Sequence, residues 1–455
     1  MDAITIENEE SSPLVSRRST GTRSTPRSRI MSGRRPLVDI LAAAFGIGAW
    51  ISINGLWVEL PLLVANLPEG WNLPSYLSVI IQIANLGPLA YTLASTLNPS
   101  LRPAKVIYAV LIVGCISSLL LPLLWQETTV IAGTQHSTAL LALVGLLSLV
   151  DCTSSVLFMP YMAVWRQLYL PSYLVGEGLS GLIPGLVALV QGVGGNPTCR
   201  NVTDNSSTGW LLEQEELDPL FSVTDFFFFL LAMMITSFTA FIVLERLPNI
   251  QGERASTSTE DIIQASQSDA NLVGVVIPTK KSSMSSGLYW TTLVGLGFVC
   301  MLTNGALPSI QSYSCGPYGN TAYHLAVTLS ALANPVAAML TMVLPRATTL
   351  VLAVLGSLGT AVSAYILTTA ATSPTPPLVD TAAGEALVVI AWVVFSGVMS
   401  YVRVEVANKM RDEGDGQRAL FWAGAFTQFG SAIGAITMFV LVNVYNLFTP
   451  YYPCS

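Results

Sequence analysis

Polar side chains recur within the long apolar segments of this sequence, where such groups are costly and therefore informative about function. The candidate substrate-binding residues that this pattern singles out are Trp50, Asn54, Gln82, Asn85, Asp151, Glu177, Asn304, Gln311 and Asn334. In the first segment, Trp50, Asn54, Trp57 and Pro61 follow a helical spacing that places them on one face. Amides beside tryptophan suit a flat heteroaromatic molecule, because rings stack on its faces and amides pair with its polar edges.

Each of these amides also has a purely structural alternative. Asn, Gln and hydroxyl side chains often form interhelical hydrogen bonds in membranes, worth only about 0.6 kcal/mol each. Sequence alone leaves both interpretations open for a single amide. For Asp151 and Glu177, which lie deeper in their segments, the functional interpretation is favoured.

Cationic side chains are nearly missing from the same segments. Apart from Arg403, at the inner end of the tenth segment, the Lys and Arg residues lie outside them. A phosphate or carboxylate substrate would need a cationic clamp, so the expected cargo is neutral or weakly charged. Two histidines and six scattered cysteines without a CxxC or HxxxH pair predict no metal site, and no catalytic constellation supports an enzyme.

The elements that must position these residues follow from composition. Of 455 residues, 52% are hydrophobic and only 10% are charged, which excludes a water-solvated globular domain. The apolar residues form blocks of about 20, the length of a helix that crosses a bilayer. Eleven transmembrane helices are predicted, over 37–64, 76–97, 106–125, 139–164, 174–193, 221–244, 289–307, 322–344, 348–370, 386–402 and 419–447.

Basic residues orient this all-α polytopic protein. With a cytoplasmic amino end, every Lys and Arg except Arg200 falls on the inside, as the positive-inside rule requires. The carboxyl end is then extracellular. The long outside loop carries two sequons, at Asn201 and Asn205, which are the predicted glycosylation sites.

The two halves of the chain echo each other. Asn54-Gly55 matches Asn304-Gly305 at an offset of 250, and Asn85 matches Asn334 at an offset of 249. Six spans separate the equivalents, so the repeat is parallel. Two facing bundles with a substrate site between them are the design of many secondary transporters.

This pattern predicts the domain organisation. A disordered cytoplasmic tail (1–36) precedes a six-helix bundle (37–246) that includes the outside loop (194–220). A cytoplasmic linker (247–286), a five-helix bundle (287–449) and an extracellular tail (450–455) follow. The lipid bilayer is the expected partner and the protein is expected to be a monomer. Net charge is −7 with no basic stripe beyond the amino tail, which argues against nucleic-acid binding.

Long motifs also resemble a known family. They include Asn54-Gly-Leu-Trp57-Val-Glu59-Leu-Pro61, Leu149-Val-Asp151-Cys-Thr153-Ser154-Ser155, Gly176-Glu177-Gly-Leu-Ser180-Gly, Leu302-Thr-Asn304-Gly305, Gln311-Ser-Tyr313-Ser-Cys315 and Ala322-Tyr323-His324-Leu325. These motifs are similar to those of the eukaryotic riboflavin transporter family of solute carriers, across essentially all eleven predicted spans. The resemblance implies cellular uptake of riboflavin (vitamin B2) across the plasma membrane by alternating access. The implied fold resembles those of major facilitator and equilibrative nucleoside transporters.

Residue roles follow from this resemblance. Asn54, Gln82, Asn304 or Gln311 would read the imide edge of riboflavin, and Trp50 or Tyr313 would stack on its ring. Asp151, Thr153 and Glu177 would form hydrogen bonds with the ribityl hydroxyls. Tyr323 is a further predicted substrate-binding residue. Riboflavin would be cargo, so no cofactor is expected. A carrier for another neutral heteroaromatic solute, such as a nucleoside, is the alternative, and proton or sodium coupling stays open.

Three cysteines are expected on the outside: Cys199, Cys315 and Cys454. At most one disulfide can form among them. Because Cys315 and Cys454 both follow spans of the second bundle, that pair is the predicted disulfide.

Overall fold

The computed structural model describes residues 35–98, 100–162, 164–166, 169–193, 198–203, 210–215, 218–254, 284–413 and 417–451. Its helices are α1 (Pro36–Ile47), α2 (Ile51–Val58), α3 (Leu60–Asn66), α4 (Leu73–Ala84), α5 (Leu86–Leu97), α6 (Pro103–Leu124), α7 (Thr138–Met162), α8 (Leu170–Gln191), α9 (Val223–Arg246), α10 (Pro248–Gln251), α11 (Ser286–Met301), α12 (Gln311–Cys315), α13 (Asn320–Val343), α14 (Thr349–Ala371), α15 (Ala382–Glu413) and α16 (Gln417–Asn443). The strands are β1 (Thr129–Ile131), β2 (Thr134–His136), β3 (Thr198–Thr203) and β4 (Trp210–Glu215).

The membrane-spanning helices agree with the predicted architecture. Among the described residues, ten helices are long and apolar enough to cross a bilayer, and the pair α1–α2, bent by 55°, brings the number to eleven if it is one span. Their exposed surfaces carry large apolar side chains such as Leu93, Ile116 and Phe421, as contact with lipid requires. Residues from Leu37 onward form one compact unit.

In the described part of the chain, two antiparallel strand pairs lie in connections between helices. Strands β1 and β2 pair in antiparallel register around a tight turn, and β3 pairs with β4 in the predicted glycosylated loop. Ala132 and Gly133 both have positive φ in the first turn, which suits the right-handed twist of the flanking strands.

The first span is broken rather than continuous, because helix α1 ends at Ile47 and α2 begins at Ile51. The break leaves backbone N–H and C=O groups of the first span without helical partners, and side chains of α7 and α9 form hydrogen bonds to them. The Asp151 carboxylate accepts the Ile53 N–H at 2.9 Å, and the Ser154 hydroxyl donates to the Ala49 carbonyl at 2.7 Å. Ser237 of α9 donates in the same way to the Phe45 carbonyl at 2.8 Å.

The seventh span is also irregular at the equivalent place. After α11, residues Leu302–Ala306 form a π-helical turn, Pro308–Ile310 form a 3₁₀ turn, and α12 follows. Such turns inside membrane helices are frequent at functional sites, because they redirect side chains and free backbone groups. The repeated Asn-Gly pair lies in α2 directly after the break of the first span, and within the π-helical turn of the seventh.

A matched pair of hydrogen bonds shows the internal repeat in three dimensions. Asn54 Nδ2 donates to Ser180 Oγ at 3.3 Å, and Asn304 Nδ2 donates to Ser431 Oγ at 3.2 Å. The halves themselves meet where α4 packs against α16 and where α8 packs against α13. This arrangement confirms the two pseudo-repeated bundles that the fold prediction contained.

Close crossings within each half depend on glycine. A Cβ atom on Gly176 of α8 would overlap the backbone carbonyl of Ala43 in α1, and one on Gly430 would overlap that of Gly297. We expect Gly176→Ala to force the helices apart and to lower the free energy of unfolding by about 1–3 kcal/mol. Thermal unfolding of the detergent-solubilised protein measures this loss.

Gly295 offers a matched control for that substitution. It also lies within a helix, α11, but a Cβ atom there meets nothing within 4 Å. Gly295→Ala should leave the midpoint of unfolding unchanged or raised, since alanine favours helix. An equal loss of stability in both variants would contradict the close-packing argument.

Candidate functional site

A central cavity lies between α2 of the broken first span, the irregular seventh span, α13 and α15. Its volume is about 160 Å³. Helix α2 contributes Asn54 and Trp57 to the lining. The seventh span, α13 and α15 contribute Thr303, Asn304, Pro308, Gln311, Val327, Ser330, Ala331, Asn334, Trp392, Phe395, Ser396, Ser400 and Arg403. Four of the candidate residues, Asn54, Asn304, Gln311 and Asn334, are therefore brought together here.

Amide groups of the cavity are held by a hydrogen-bond network around Arg403. Its Nη1 donates to Asn304 Oδ1 at 3.2 Å, and its Nη2 donates to Asn334 Oδ1 at 3.3 Å. Gln82 Nε2 donates to the Asn304 carbonyl at 3.4 Å, and Asn85 Nδ2 donates to Gln82 Oε1 at 3.2 Å. Gln82 and Asn85 thus support Asn304 from the edge of the cavity.

Arg403 corrects two sequence-based expectations. The tenth span was predicted to end at Val402, but α15 continues to Glu413, so Arg403 lies inside the helix. The cavity consequently contains a guanidinium, and its lining is not purely uncharged. Arginine has five donors in a rigid fork, so it can hold two amide oxygens and still face a ligand.

An aromatic face of the cavity was also missed. Trp392, Phe395, Ser396, Ser400 and Arg403 recur every three or four residues along α15, which places them on one side of the helix. Trp392 Nε1 donates to Ser314 Oγ at 3.1 Å, which orients the indole. This helical spacing, ending in an intramembrane arginine, is a signal from which the sequence could have revealed the site.

The remaining candidates of the first half lie away from the central cavity. Asp151 is fully buried behind the break in the first span, where it accepts the Ile53 N–H. Thr153 donates to the Leu149 carbonyl at 2.5 Å and faces Gly87 of α5. Glu177 lies where α8 crosses α1, with its backbone carbonyl bonded to Ser180.

Trp50 is separated from its predicted neighbours by backbone geometry. It precedes α2 with a φ of −137°, so the helical face that joined it to Asn54, Trp57 and Pro61 is interrupted. Its side chain packs half-buried against the apolar core, whereas Trp57 lines the cavity. Pro61 lies further along, in a second space.

The second space is a vestibule of about 820 Å³ around Trp71, and Tyr313 and Tyr323 line it. Both tyrosines were predicted to contact substrate together with the amides. The structure separates them from the central cavity, because Gln311 faces that cavity while Tyr313 faces the vestibule. The ring centroids of Trp71 and Tyr313 are 5.7 Å apart.

Hydrogen bonds between the halves lie beside the vestibule and the central cavity. Trp57 Nε1 donates to Gln311 Oε1 at 3.1 Å, and Ser312 Oγ donates to the Trp71 carbonyl at 2.6 Å. Tyr313 donates to Asn72, and Asn443 Nδ2 donates to Ser75 Oγ at 2.7 Å. We call these four hydrogen bonds the gate.

Ion pairs at the opposite ends of the helices join residues of the same half. Arg346 pairs with Glu405 at 3.0 Å in the second half, and Arg166 of the first half pairs at 2.9 Å with Glu253, just after α10. Arg254, also after α10, pairs with Glu245 of the first half. These contacts brace each half internally, whereas the gate holds the halves to each other on the Trp71 side.

The predicted disulfide between Cys315 and Cys454 is wrong. Cys315 is a free thiol, fully buried at the end of α12 among the tyrosines of the second half. Among the described cysteines, Cys199 is disulfide-bonded, and it is exposed on β3. The helix break after Met301 turns Cys315 into the core, which its position after a span did not reveal. Cys454 lies outside the described residues.

The two sequons remain predictions. Asn201 lies in β3, which pairs with β4. Asn205 lies outside the described residues. Within the described ranges, no group of three His, Cys, Asp or Glu side chains could hold a metal ion.

Solved transporters share this fold. The nucleoside transporter NupG aligns with a TM-score of 0.51 at 14% identity, covering 91% of this chain and 92% of that chain. A D-xylose-proton symporter aligns with a TM-score of 0.51 at 12% identity, covering 89% and 88%. The expected likeness to major facilitator transporters is thereby confirmed at the level of the fold.

Sequence comparisons are more specific. A family profile described as "Solute carrier family 52, riboflavin transporter" matches residues 34–450. Member 3-A from Danio rerio is 45% identical over 439 residues, which cover 90% of this chain and 96% of that protein. Human member 1 is 37% identical over 436 residues, covering 91% and 96%. The chain therefore belongs to solute carrier family 52, the riboflavin transporters.

Proposed function

We propose that this protein carries riboflavin across the plasma membrane by alternating access, as a facilitative or secondary transporter. The observation that supports it most directly is the central cavity, in which amides and aromatic rings from both halves converge at two broken helices. Relatives named riboflavin transporters match nearly the whole chain. Riboflavin is neutral at pH 7, with a flat ring system, an imide edge and a polyol chain.

The cavity offers a complement to each part of this molecule. Asn304, Asn334 and Arg403 present amide and guanidinium groups to the carbonyl-rich edge of the ring. Trp57 and Trp392 present aromatic surface for its faces. The hydroxyls of the ribityl chain pair with serines on α13 and α15, which are Ser330, Ser396 and Ser400.

The orientation of the chain assigns a state to this structure. With the amino end in the cytoplasm, the Trp71 side is extracellular, and the gate closes the cavity toward the outside. The structure then corresponds to an inward-facing state. To open outward, the halves must separate at the gate. They would then rotate about the two interfaces that α4 forms with α16 and α8 forms with α13.

Other parts of the proposal follow from the same arrangement. The protein works as a monomer in the bilayer, because each chain contains both halves of the site. Riboflavin is cargo and not a cofactor, and transport requires no chemical step. The two bundles, 37–246 and 287–449, are the moving bodies of the cycle.

Replacing both Asn54 and Asn304 by alanine tests the proposed site. Each amide lines the cavity, and loss of two hydrogen bonds to substrate should lower riboflavin uptake roughly tenfold. The measurement is initial uptake of labelled riboflavin per transporter at the cell surface, with lumiflavin and uridine as unlabelled competitors. Inhibition by lumiflavin and not by uridine is expected.

Asn66→Ala serves as the matched control. Asn66 is exposed at the end of α3, where it donates to the Leu62 carbonyl, and its removal should leave uptake unchanged. Normal uptake by the double variant would remove both asparagines from the proposed site.

A further inference from the structure

The vestibule has a chemistry different from that of the central cavity. Its lining contains three carboxylates, from Glu69, Asp380 and Glu385, and no Lys or Arg among the described residues that form it. The central cavity has the opposite sign, since it contains Arg403 and no carboxylate among its described lining residues. A solute entering through the gate therefore passes a negative space before it reaches a positive one.

The three carboxylates are not equivalent. Glu69 is satisfied within the protein, because it accepts the Ser137 N–H at 2.8 Å and the Ser137 hydroxyl at 2.7 Å. His136 adds a contact to the same carboxylate at 3.3 Å. Glu69 thus anchors the β1–β2 hairpin beside the vestibule. Asp380 is exposed and Glu385 half-buried, and these two remain to face a ligand.

Asp380 and Glu385 are held in place by the turn that starts α15. The Tyr318 hydroxyl donates to the Pro377 carbonyl at 2.7 Å, and the Thr381 hydroxyl donates to the Leu378 carbonyl at 2.6 Å. Asp380 itself has a φ of 61°, a left-handed conformation that is uncommon outside glycine and is found more often at functional positions. Aspartate tolerates this conformation better than most residues, and the surrounding contacts hold the turn in it.

A second observation in the vestibule points to a ligand. Tyr323 lines this space, its side chain is buried with 3% exposed, and its hydroxyl has no hydrogen-bond partner. A buried hydroxyl without a partner is uncommon, because it loses its hydrogen bonds to water on folding. The hydroxyl oxygen itself has no accessible surface, so a polar ligand in the vestibule supplies the missing partner when the ring turns toward that space.

We infer that the vestibule is a selection site for flavins, in which Asp380 and Glu385 accept the ribityl hydroxyls of riboflavin and repel a phosphate at the same place. This inference rests on the proposed transport of riboflavin. Carboxylates accept hydrogen bonds from a polyol, whereas a phosphate ester brings one to two negative charges against them. Arg403, further in, would attract a phosphate, so exclusion of phosphorylated flavins belongs to the vestibule.

Residues of the gate connect this selection to transport. Trp71, Asn72 and Tyr313 line the vestibule and also form contacts between the halves. A solute that occupies the vestibule therefore lies on the closed gate itself. Riboflavin is released into the central cavity when these contacts separate, and a repelled phosphate ester does not reach them.

The test is competition between riboflavin and its 5′-phosphate in cells that express the full chain. In the double variant Asp380→Asn/Glu385→Gln, the concentration of riboflavin 5′-phosphate that halves labelled riboflavin uptake should fall roughly fivefold or more. The same concentration for neutral lumiflavin should stay unchanged. In the wild type, raising the ionic strength should also strengthen inhibition by the phosphate ester, and the double variant should lose this salt dependence.

A matched control carries the same change of charge outside the vestibule. Glu127 and Asp218 are exposed on the same side of the membrane, and Glu127→Gln/Asp218→Asn should behave as the wild type. Tyr323→Phe should weaken riboflavin uptake at low concentration about threefold, the effect of one hydrogen bond, while maximal uptake is kept.

Different results would contradict the proposed transport of riboflavin and the selection site in the vestibule. If the wild type takes up no riboflavin, the proposed function is wrong. If the wild type takes up riboflavin but the phosphate ester inhibits the wild type, the double variant and the control equally, with the same salt dependence, the vestibule is not the selection site.

Discussion

Replacing Arg403 by methionine is expected to reduce riboflavin uptake tenfold or more, at unchanged surface expression. Arg403 donates to both Asn304 and Asn334, so its loss releases two amides that line the cavity. A hydrogen bond to a charged group contributes about 1.5–3 kcal/mol, which corresponds to at least a tenfold effect. The measurement is the initial rate of labelled riboflavin uptake over a range of concentrations, normalised to the transporter at the surface.

Two further substitutions sharpen this prediction. Arg403→Lys keeps the charge but cannot bridge two amide oxygens with a planar fork, so we expect only partial recovery. Arg102→Met removes an exposed arginine before α6 and should have no effect on uptake. If Arg403→Met transports riboflavin normally, the guanidinium is no part of the binding site.

Replacing Asp151 by alanine is expected to destabilise the protein without a specific loss of substrate binding. The carboxylate satisfies the Ile53 N–H at the start of α2, where the broken first span has no helical partner to offer. Leaving a buried N–H unpaired costs about 1–3 kcal/mol. Thermal unfolding in detergent should show the loss, and the fraction of protein at the cell surface should fall with it.

Asp151→Asn distinguishes this role from substrate binding. Asparagine retains an oxygen that can accept the Ile53 N–H, so its stability should lie between those of the wild type and the alanine variant. Asp218→Ala, an exposed position before α9, is the control and should match the wild type. An asparagine variant of normal stability that no longer quenches riboflavin fluorescence would return Asp151 to the binding site.

The fate of Asp151 shows where inference from sequence reaches its limit. A carboxylate inside an apolar segment is expensive in lipid, and the correct expectation was that it faces the protein interior. What it meets there depends on a break in another helix, about a hundred residues earlier in the chain. No periodicity within the fourth span carries that information.

Arg403 and Tyr313 illustrate the same limit. Arg403 lines the central cavity although it was not a candidate residue, whereas Tyr313 was a candidate and lies outside that cavity. Arg403 was assigned to the end of a span, because its neighbours become polar, yet α15 continues through them and brings it to the cavity. Tyr313 was grouped with Gln311 as a substrate contact. Both lie in α12, and residues two apart on a helix point to different sides, so Gln311 faces the cavity while Tyr313 faces the vestibule.

The sequence by itself determined the number of spans, the parallel repeat and the amides that converge at the centre. These properties depend on hydrophobic length and on the cost of polar groups in lipid, which act locally along the chain. Only the tertiary structure decided which polar residues line the cavity and which brace a broken helix. It also decided how the vestibule is separated from the cavity and which cysteine is bonded. These outcomes depend on where helices break and cross, because a single irregular turn redirects every side chain that follows it.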